Sequence, residues 1–294
     1  FKRSDDAAIG QVIGQPRILK FKTSGSAATA TYRWFAVVAS GVNNYVSDAA
    51  GLFSDGKPAL FLLALDKPVG DAWSLGSNYY KITFPLDATL AATTAPGLVT
   101  FNALYGKSGE VTDIYAGDLH GNLWKLHFGD LAPSEWTMGK LSFFNKGSAS
   151  SPDPYPMFIA KTGSTVQPIT SAPTLFTGPI VGGLETFYVT FGTGKYLEAA
   201  DKTSTLANSF YALYDNGTAT ADSVTVGEAA ISGRGRLQAG TVDTTTKVVT
   251  VGAQQKVEIL KLVAKALKID DVDELIDEMT DEDGNWVGDG SGAG

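Results

Sequence analysis

The chain has 294 residues, 44% hydrophobic and 18% charged, with 33 glycines, no cysteine and a formal net charge of −8. The missing cysteine excludes disulfides, thiolate-held zinc, iron–sulfur clusters and a thiol nucleophile, while many glycines and few charges favour short strands and tight turns over long solvated helices. The acidity is local: ten of the 31 acids lie between Asp270 and Asp289 and no Lys or Arg follows Lys268, so residues 1–269 carry 23 basic and 21 acidic groups and no basic stripe for a nucleic acid.

In chain order, the opening Phe1-Lys2-Arg3-Ser4 is expected to be a cut inside a longer protein, with any export signal upstream. No apolar run approaches the roughly 20 residues that a membrane-spanning helix needs. Three stretches then share a plan. Each starts at a proline followed by apolar residues: Pro16-Arg17-Ile18-Leu19, Pro96-Gly97-Leu98-Val99 and Pro173-Thr174-Leu175-Phe176. Within 14 to 18 residues comes a strand with an aromatic near its start: Trp34–Val38, Ile114-Tyr115-Ala116 and Phe187–Phe191. Gly41, Gly117 and Gly192 break these strands, and a further apolar strand follows in each copy: Leu60–Leu65, Leu123–Leu126 and Phe210–Tyr214.

The copies are spaced 80 and 77 residues apart, against about 40 to 50 for an ordinary propeller blade. Each is therefore a blade with long inserts or a span of nearly two blades. The expected fold is all-β: a modified β-propeller, in part or whole, over residues 1–253, followed by a short C-terminal helical tail over 254–294. A β-sandwich uses the same short strands, and the weak repeats favour the propeller. Residues 20–31 and 129–168 read as loops, and 216–253 as further strands, clearest at Lys247–Val251. In the tail, Val257, Leu260, Val263, Ala264 and Leu267 mark one face of a helix, and Asp270 or Asp271 could cap a second one through Met279.

The segment Tyr115-Ala116-Gly117-Asp118-Leu119-His120-Gly121-Asn122-Leu123-Trp124-Lys125-Leu126 resembles the most recognisable stretch of the PilC/PilY family of type IV pilus tip adhesins. Gly10–Pro16 with Trp34–Val38, and Val189–Leu197 with Phe210–Gly217, resemble it further and in the family's order. The resemblance implies a modified propeller exposed at the pilus tip or outer-membrane surface. It also implies partnership with minor pilins in pilus assembly, a part in adhesion to a host surface ligand, and a part in twitching motility. The family commonly places an aspartate-rich calcium loop just before the Tyr-Ala-Gly-Asp stretch. Here that loop reads Leu104-Tyr105-Gly106-Lys107-Ser108-Gly109-Glu110-Val111-Thr112, with a lysine where carboxylates are expected, so no calcium is expected there.

Five features invite a chemical reading. Asp118, His120 and Asn122 sit in one turn, as an ion or ligand site or as plain turn chemistry; turn chemistry is favoured, and Trp124 reads as packing. His127 is the only other histidine, leaving little material for nucleophilic catalysis. No carboxylate pair stands out for glycoside hydrolysis. Phe191-Gly192-Thr193-Gly194-Lys195 lacks the spacing of a phosphate loop and reads as a turn. Asp281, Asp283, Asn285 and Asp289 occupy positions 1, 3, 5 and 9 of an EF-hand-like pattern, with Trp286 and Gly292 where glycine and glutamate belong. They form the one candidate calcium site.

The expected function is thus a surface protein working through protein contacts, without catalysis. A quinone-cofactor dehydrogenase propeller is the alternative suggested by Ala116-Gly117-Asp118 and Trp124, although five tryptophans do not supply its ring of repeats. A carbohydrate-binding propeller is the other.

Overall fold

Strict alternation builds the first sheet. Along β1 (Arg17–Ser24), Leu19 and Phe21 are buried while Ile18, Lys20 and Lys22 point the other way. β2 (Thr31–Ala39) answers with buried Phe35, Val37 and Ala39. β3 (Ala59–Ala64) is apolar on both sides because both are covered, and β4 (Tyr79–Thr83) completes an antiparallel meander in chain order. The computed structural model describes residues 1–26, 28–42, 57–197, 199–219, 229–231, 237, 240–242 and 249–250.

A single helical turn, α1 (Ala88–Ala91), is capped by Asp87, whose carboxylate accepts from the Thr89 and Leu90 amides. It leads to a second meander: β5 (Leu98–Tyr105), β6 (Val111–Asp118), β7 (Asn122–His127) and β8 (Phe158–Ile159). Between β7 and β8 lie a 3-10 turn at Pro133–Glu135 and the one-turn helix α2 (Met138–Leu141). A small hairpin of β9 (Lys161–Thr162) and β10 (Thr165–Val166) precedes the third meander, β11 (Thr174–Thr177), β12 (Phe187–Gly192) and β13 (Phe210–Asp215).

Each predicted repeat therefore supplies one sheet, which resolves the spacing in favour of single blades with inserts. The fold is all-β, as expected. Two loop assignments need correction. Residues 20–24 continue β1, because the polar side chains of Lys20, Lys22 and Ser24 are the outward half of an alternating strand. The stretch 129–168 is not loop throughout: β8 joins the second sheet, β9 and β10 form a hairpin, and Trp136, Met138, Leu141 and Phe144 are buried.

The main core lies between the first two sheets. Leu19, Phe21, Phe35, Val37, Leu60 and Leu62 meet Leu98, Phe101, Ala116, Trp124 and Leu126 there, and Trp136 caps the cluster. On the other side of the first sheet, Phe61 and Tyr79 are covered by Phe1 and Trp73.

The chain divides into two compact units, Phe1–Gly233 and Arg234–Gly294. In the second, β14 (Thr241–Val242) pairs antiparallel with β15 (Val249–Thr250), which falls within the predicted strand Lys247–Val251. The two predicted tail helices, and Asp281, Asp283, Asn285 and Asp289, lie outside the described residues. No helix among the described residues is long and apolar enough to cross a membrane.

Candidate functional site

The β6–β7 turn gathers four donors on one carboxylate. β6 ends on Asp118, whose side chain is buried. One carboxylate oxygen, Oδ1, accepts from the backbone amides of His120 and Asn122, both at 2.9 Å. The other, Oδ2, accepts from Asn122 Nδ2 at 2.9 Å and from Trp124 Nε1 at 3.0 Å. Burial pushes the carboxyl above its usual range, while the Trp124 and Asn122 donors work against that rise. His120 Nε2 lies 2.9 Å from the Thr94 carbonyl, an acceptor, so that nitrogen carries the proton.

Two glycines make this turn possible. Gly121 has φ of 80°, and a Cβ there would lie 2.5 Å from the Ala160 carbonyl oxygen. A Cβ on Gly117 would lie 2.3 Å from Ile169 Cγ2, so the Ile169 segment rests directly on β6. All four Asp118 bonds come from its own turn and from the following strand, β7. The group organises a corner, as turn chemistry predicts, and Trp124 is a packing residue with a tied indole.

A second polar cluster joins two sheets. Tyr115 on β6 and Lys125 on β7 are cross-strand partners. Asp215 at the end of β13 reaches both: its Oδ2 lies 2.7 Å from Lys125 Nζ and accepts from the Tyr115 hydroxyl at 2.5 Å. All three residues are buried. Phe143 lies over the ammonium, with Nζ 3.7 Å from the ring centroid. Burial first, and then the Asp215 charge, holds the Tyr115 hydroxyl far above its ordinary value. Nearby, Gln167 is also buried, accepts from Tyr211 Oη at 2.6 Å and donates to the Ala207 carbonyl and Ser209 Oγ. Sequence reading did not single out Lys125, Tyr115 or Asp215. A lysine inside the apolar run Leu123–Leu126 was the available signal.

The remaining candidates resolve individually. The 104–112 segment is the β5–β6 hairpin loop, closed by the Gly106 amide on the Glu110 carbonyl at 2.7 Å. Lys20 Nζ, from the first sheet, donates to the Ser108 carbonyl in that loop. Glu110 is its one acid. Oε2 of that residue is buried without a hydrogen-bond partner. In the 191–195 stretch the Gly194 amide donates to the Pro168 carbonyl at 2.7 Å, Thr193 bonds Ser209, and Lys195 pairs with Asp201. That is a blade turn whose amides are already engaged. His127 Nδ1 lies 2.9 Å from Asp113 Oδ1, and the Asp113 bond holds the imidazole above its usual value against partial burial. Among the described residues, no three His, Cys, Asp or Glu side chains are grouped as a metal site would need. The polar groups named here thus serve corners and seams.

The family model described as the PilY1 beta-propeller domain matches residues 6–255. A type IV pilus biogenesis factor PilY1 homolog of Xylella fastidiosa is 27% identical over 236 residues, covering 78% of this chain and 13% of the relative. The type IV pilus biogenesis factor PilY1 of Pseudomonas aeruginosa is 31% identical over 182 residues, 55% of this chain and 14% of that protein. The chain thus corresponds to a small part of these relatives. The crystal structure of the Pseudomonas aeruginosa PilY1 C-terminal domain matches with a TM-score of 0.51 at 20% identity, over 85% of this chain and 48% of that one.

Proposed function

The chain belongs to the PilY1 β-propeller family, and from that premise we propose that it is part of a surface protein of the type IV pilus, acting in pilus biogenesis by binding other proteins rather than by catalysis. The observation that carries this reading is the family match over residues 6–255, which spans all three sheets. The geometry agrees with it: Asp118 with Trp124 fixes a corner and Lys125, Tyr115 and Asp215 lock a seam, so the sheets act as scaffold and their surfaces are the working parts.

In this reading the protein lies outside the cell, at the pilus tip or the outer-membrane surface, and its partners are minor pilins. Adhesion to a host surface ligand and support of twitching motility extend the proposal. Calcium enters it only through Asp281, Asp283, Asn285 and Asp289, as a weak loop to be checked by calorimetric titration with and without D281N/D283N.

The deciding experiment immobilises the whole chain, and a form ending at residue 253, and passes purified minor pilins over both. Retention of at least one pilin by the whole chain is the expected result. If neither form retains any pilus component, the proposal is wrong.

A further inference from the structure

Asn216 and Gly217 follow β13 directly and form the only Asn-Gly pair in the sequence. Gly217 takes φ of 74°, and a Cβ on it would lie 2.5 Å from the Glu185 carbonyl oxygen, so the bend there requires glycine. Without a side chain, Gly217 has nothing of its own to shield its amide nitrogen from the Asn216 side chain just before it. Asn216 itself is exposed, so water reaches it.

Three hydrogen bonds arrange the pair. The Gly217 amide donates to Asp215 Oδ1 at 2.9 Å. The Thr218 amide donates to Asn216 Oδ1 at 3.0 Å, and the Thr218 hydroxyl donates to the same oxygen at 2.9 Å. A backbone amide only donates, so the Asn216 atom that it meets is the carbonyl oxygen and not the side-chain nitrogen.

These are the groups that ring closure between an amide nitrogen and a carboxamide uses. The Gly217 nitrogen is the nucleophile, and its proton already points at a carboxylate oxygen that can take it. Attack uses the face of the amide, which that in-plane hydrogen bond leaves open. As the nitrogen bonds to Asn216 Cγ, the side-chain oxygen turns negative. Two donors already sit on that oxygen, and such bonds strengthen as charge develops. The Cγ–Nδ2 bond then breaks, and ammonia leaves with the proton that Asp215 took. A five-membered imide remains, and water opens it at either carbonyl to give aspartate or isoaspartate.

We propose that Asn216-Gly217 is a modification site, at which the folded chain promotes its own deamidation through Asp215 and Thr218. The isoaspartate product lengthens the main chain by one carbon directly after Asp215, the acceptor that Lys125 and Tyr115 share. The change therefore falls where the third sheet is held to the second.

Mass spectrometry of the whole chain, stored at neutral pH both folded and in concentrated urea, tests it. Peptide 203–234 carries the site, and fragmentation with isoaspartyl methylation places the product at residue 216. The folded chain should convert at least about threefold faster than the unfolded one, the gain from one hydrogen bond to developing charge. Thr218→Val should slow the folded chain by about threefold to tenfold, while Thr218→Ser, which keeps the hydroxyl, should retain the rate. Asn216→Gln, whose ring would need one more member, should stay unconverted. Melting curves show that each rate belongs to a folded chain. Conversion no faster in the folded chain than in urea overturns the proposal, and so does a Thr218→Val rate equal to that of wild type.

Discussion

The two seams between the sheets are built from different chemistry. Between the first and second sheets the buried contact is apolar and rich in rings, with the Arg17–Asn102 and Lys20–Ser108 hydrogen bonds beside it. Trp136 is its hub, with ring centroids 5.4 Å from Phe21, 5.5 Å from Phe35 and 5.2 Å from Tyr80. Between the second and third sheets, Phe158 meets Phe191 and Tyr211, but Lys125 and Asp215 sit beside them out of water. Apolar packing is non-directional and accepts several placements. A buried ion pair does not, since any slip of the third sheet leaves one charge alone in a medium that penalises it. The first seam supplies adhesion between blades, and the second supplies register.

If that contrast is right, the polar seam is the more sensitive to a single change and the more tolerant of a matched pair. Asp215→Ala should destabilise the chain by about 4–5 kcal/mol, near the top of the range for breaking a buried pair. The top is expected because the Tyr115 hydroxyl loses its acceptor together with Lys125. The double change Lys125→Met with Asp215→Leu should lose only about 1–2 kcal/mol, since removing both charges also removes their desolvation and leaves only the Tyr115 hydroxyl without its acceptor. Urea unfolding of the three proteins measures both effects. A double variant as unstable as the single one would erase the distinction between the seams.

The aromatic seam should respond to volume alone. Trp136→Ala leaves a cavity ringed by Phe21, Phe35, Tyr80 and Phe128 and is expected to lose about 3–4 kcal/mol. Trp136→Phe should recover most of that, because the Trp136 Nε1 bond to the Leu131 carbonyl is a single long one at 3.2 Å. A corner inside one sheet should matter less than either seam. Asp118→Asn turns an amide N–H₂ toward the Asn122 or Trp124 donor and should lose about 2 kcal/mol, read from the same unfolding curves.

What sequence reading recovered follows the range of the interactions. The Asp118 turn was legible because its bonds span two to six residues. Strands such as Trp34–Val38 and Phe210–Tyr214 were legible because alternation and aromatic content are local signals. Lys20, Lys22 and Ser24 were read as loop because the outward half of a strand is as polar as a loop. Trp136 was passed over because nothing near it in the chain announces the four rings it meets. The Lys125–Asp215 pair joins residues 90 positions apart, and one chain read alone carries no sign of that partnership. Among the relatives' motifs, Tyr115, Lys125 and Asp215 were quoted without their common purpose being visible.

The smallest expected effect lies at the rim of the polar seam, where Asp113 and His127 pair across β6 and β7. The Asp113 hydrogen bond raises the imidazole value above the ordinary 6.5, partial burial lowers it, and the Lys125 charge lowers it further. A raised value in the fold means that the folded chain binds this proton more tightly than the unfolded one. The pair's contribution is therefore complete below about pH 6.5 and is lost as pH rises through the higher folded value. His127 is half exposed, so solvent screens the pair and the shift should be on the order of 1 °C in melting temperature. His127→Gln should flatten that part of the profile while leaving the plateau above it unchanged. Because Lys125 is already committed to Asp215, the Asp215→Ala variant should alter the slope as well, tying the rim to the seam. A melting profile identical for wild type and His127→Gln between about pH 6 and pH 8, the range in which this histidine titrates, would show that the Asp113–His127 pair adds nothing to stability.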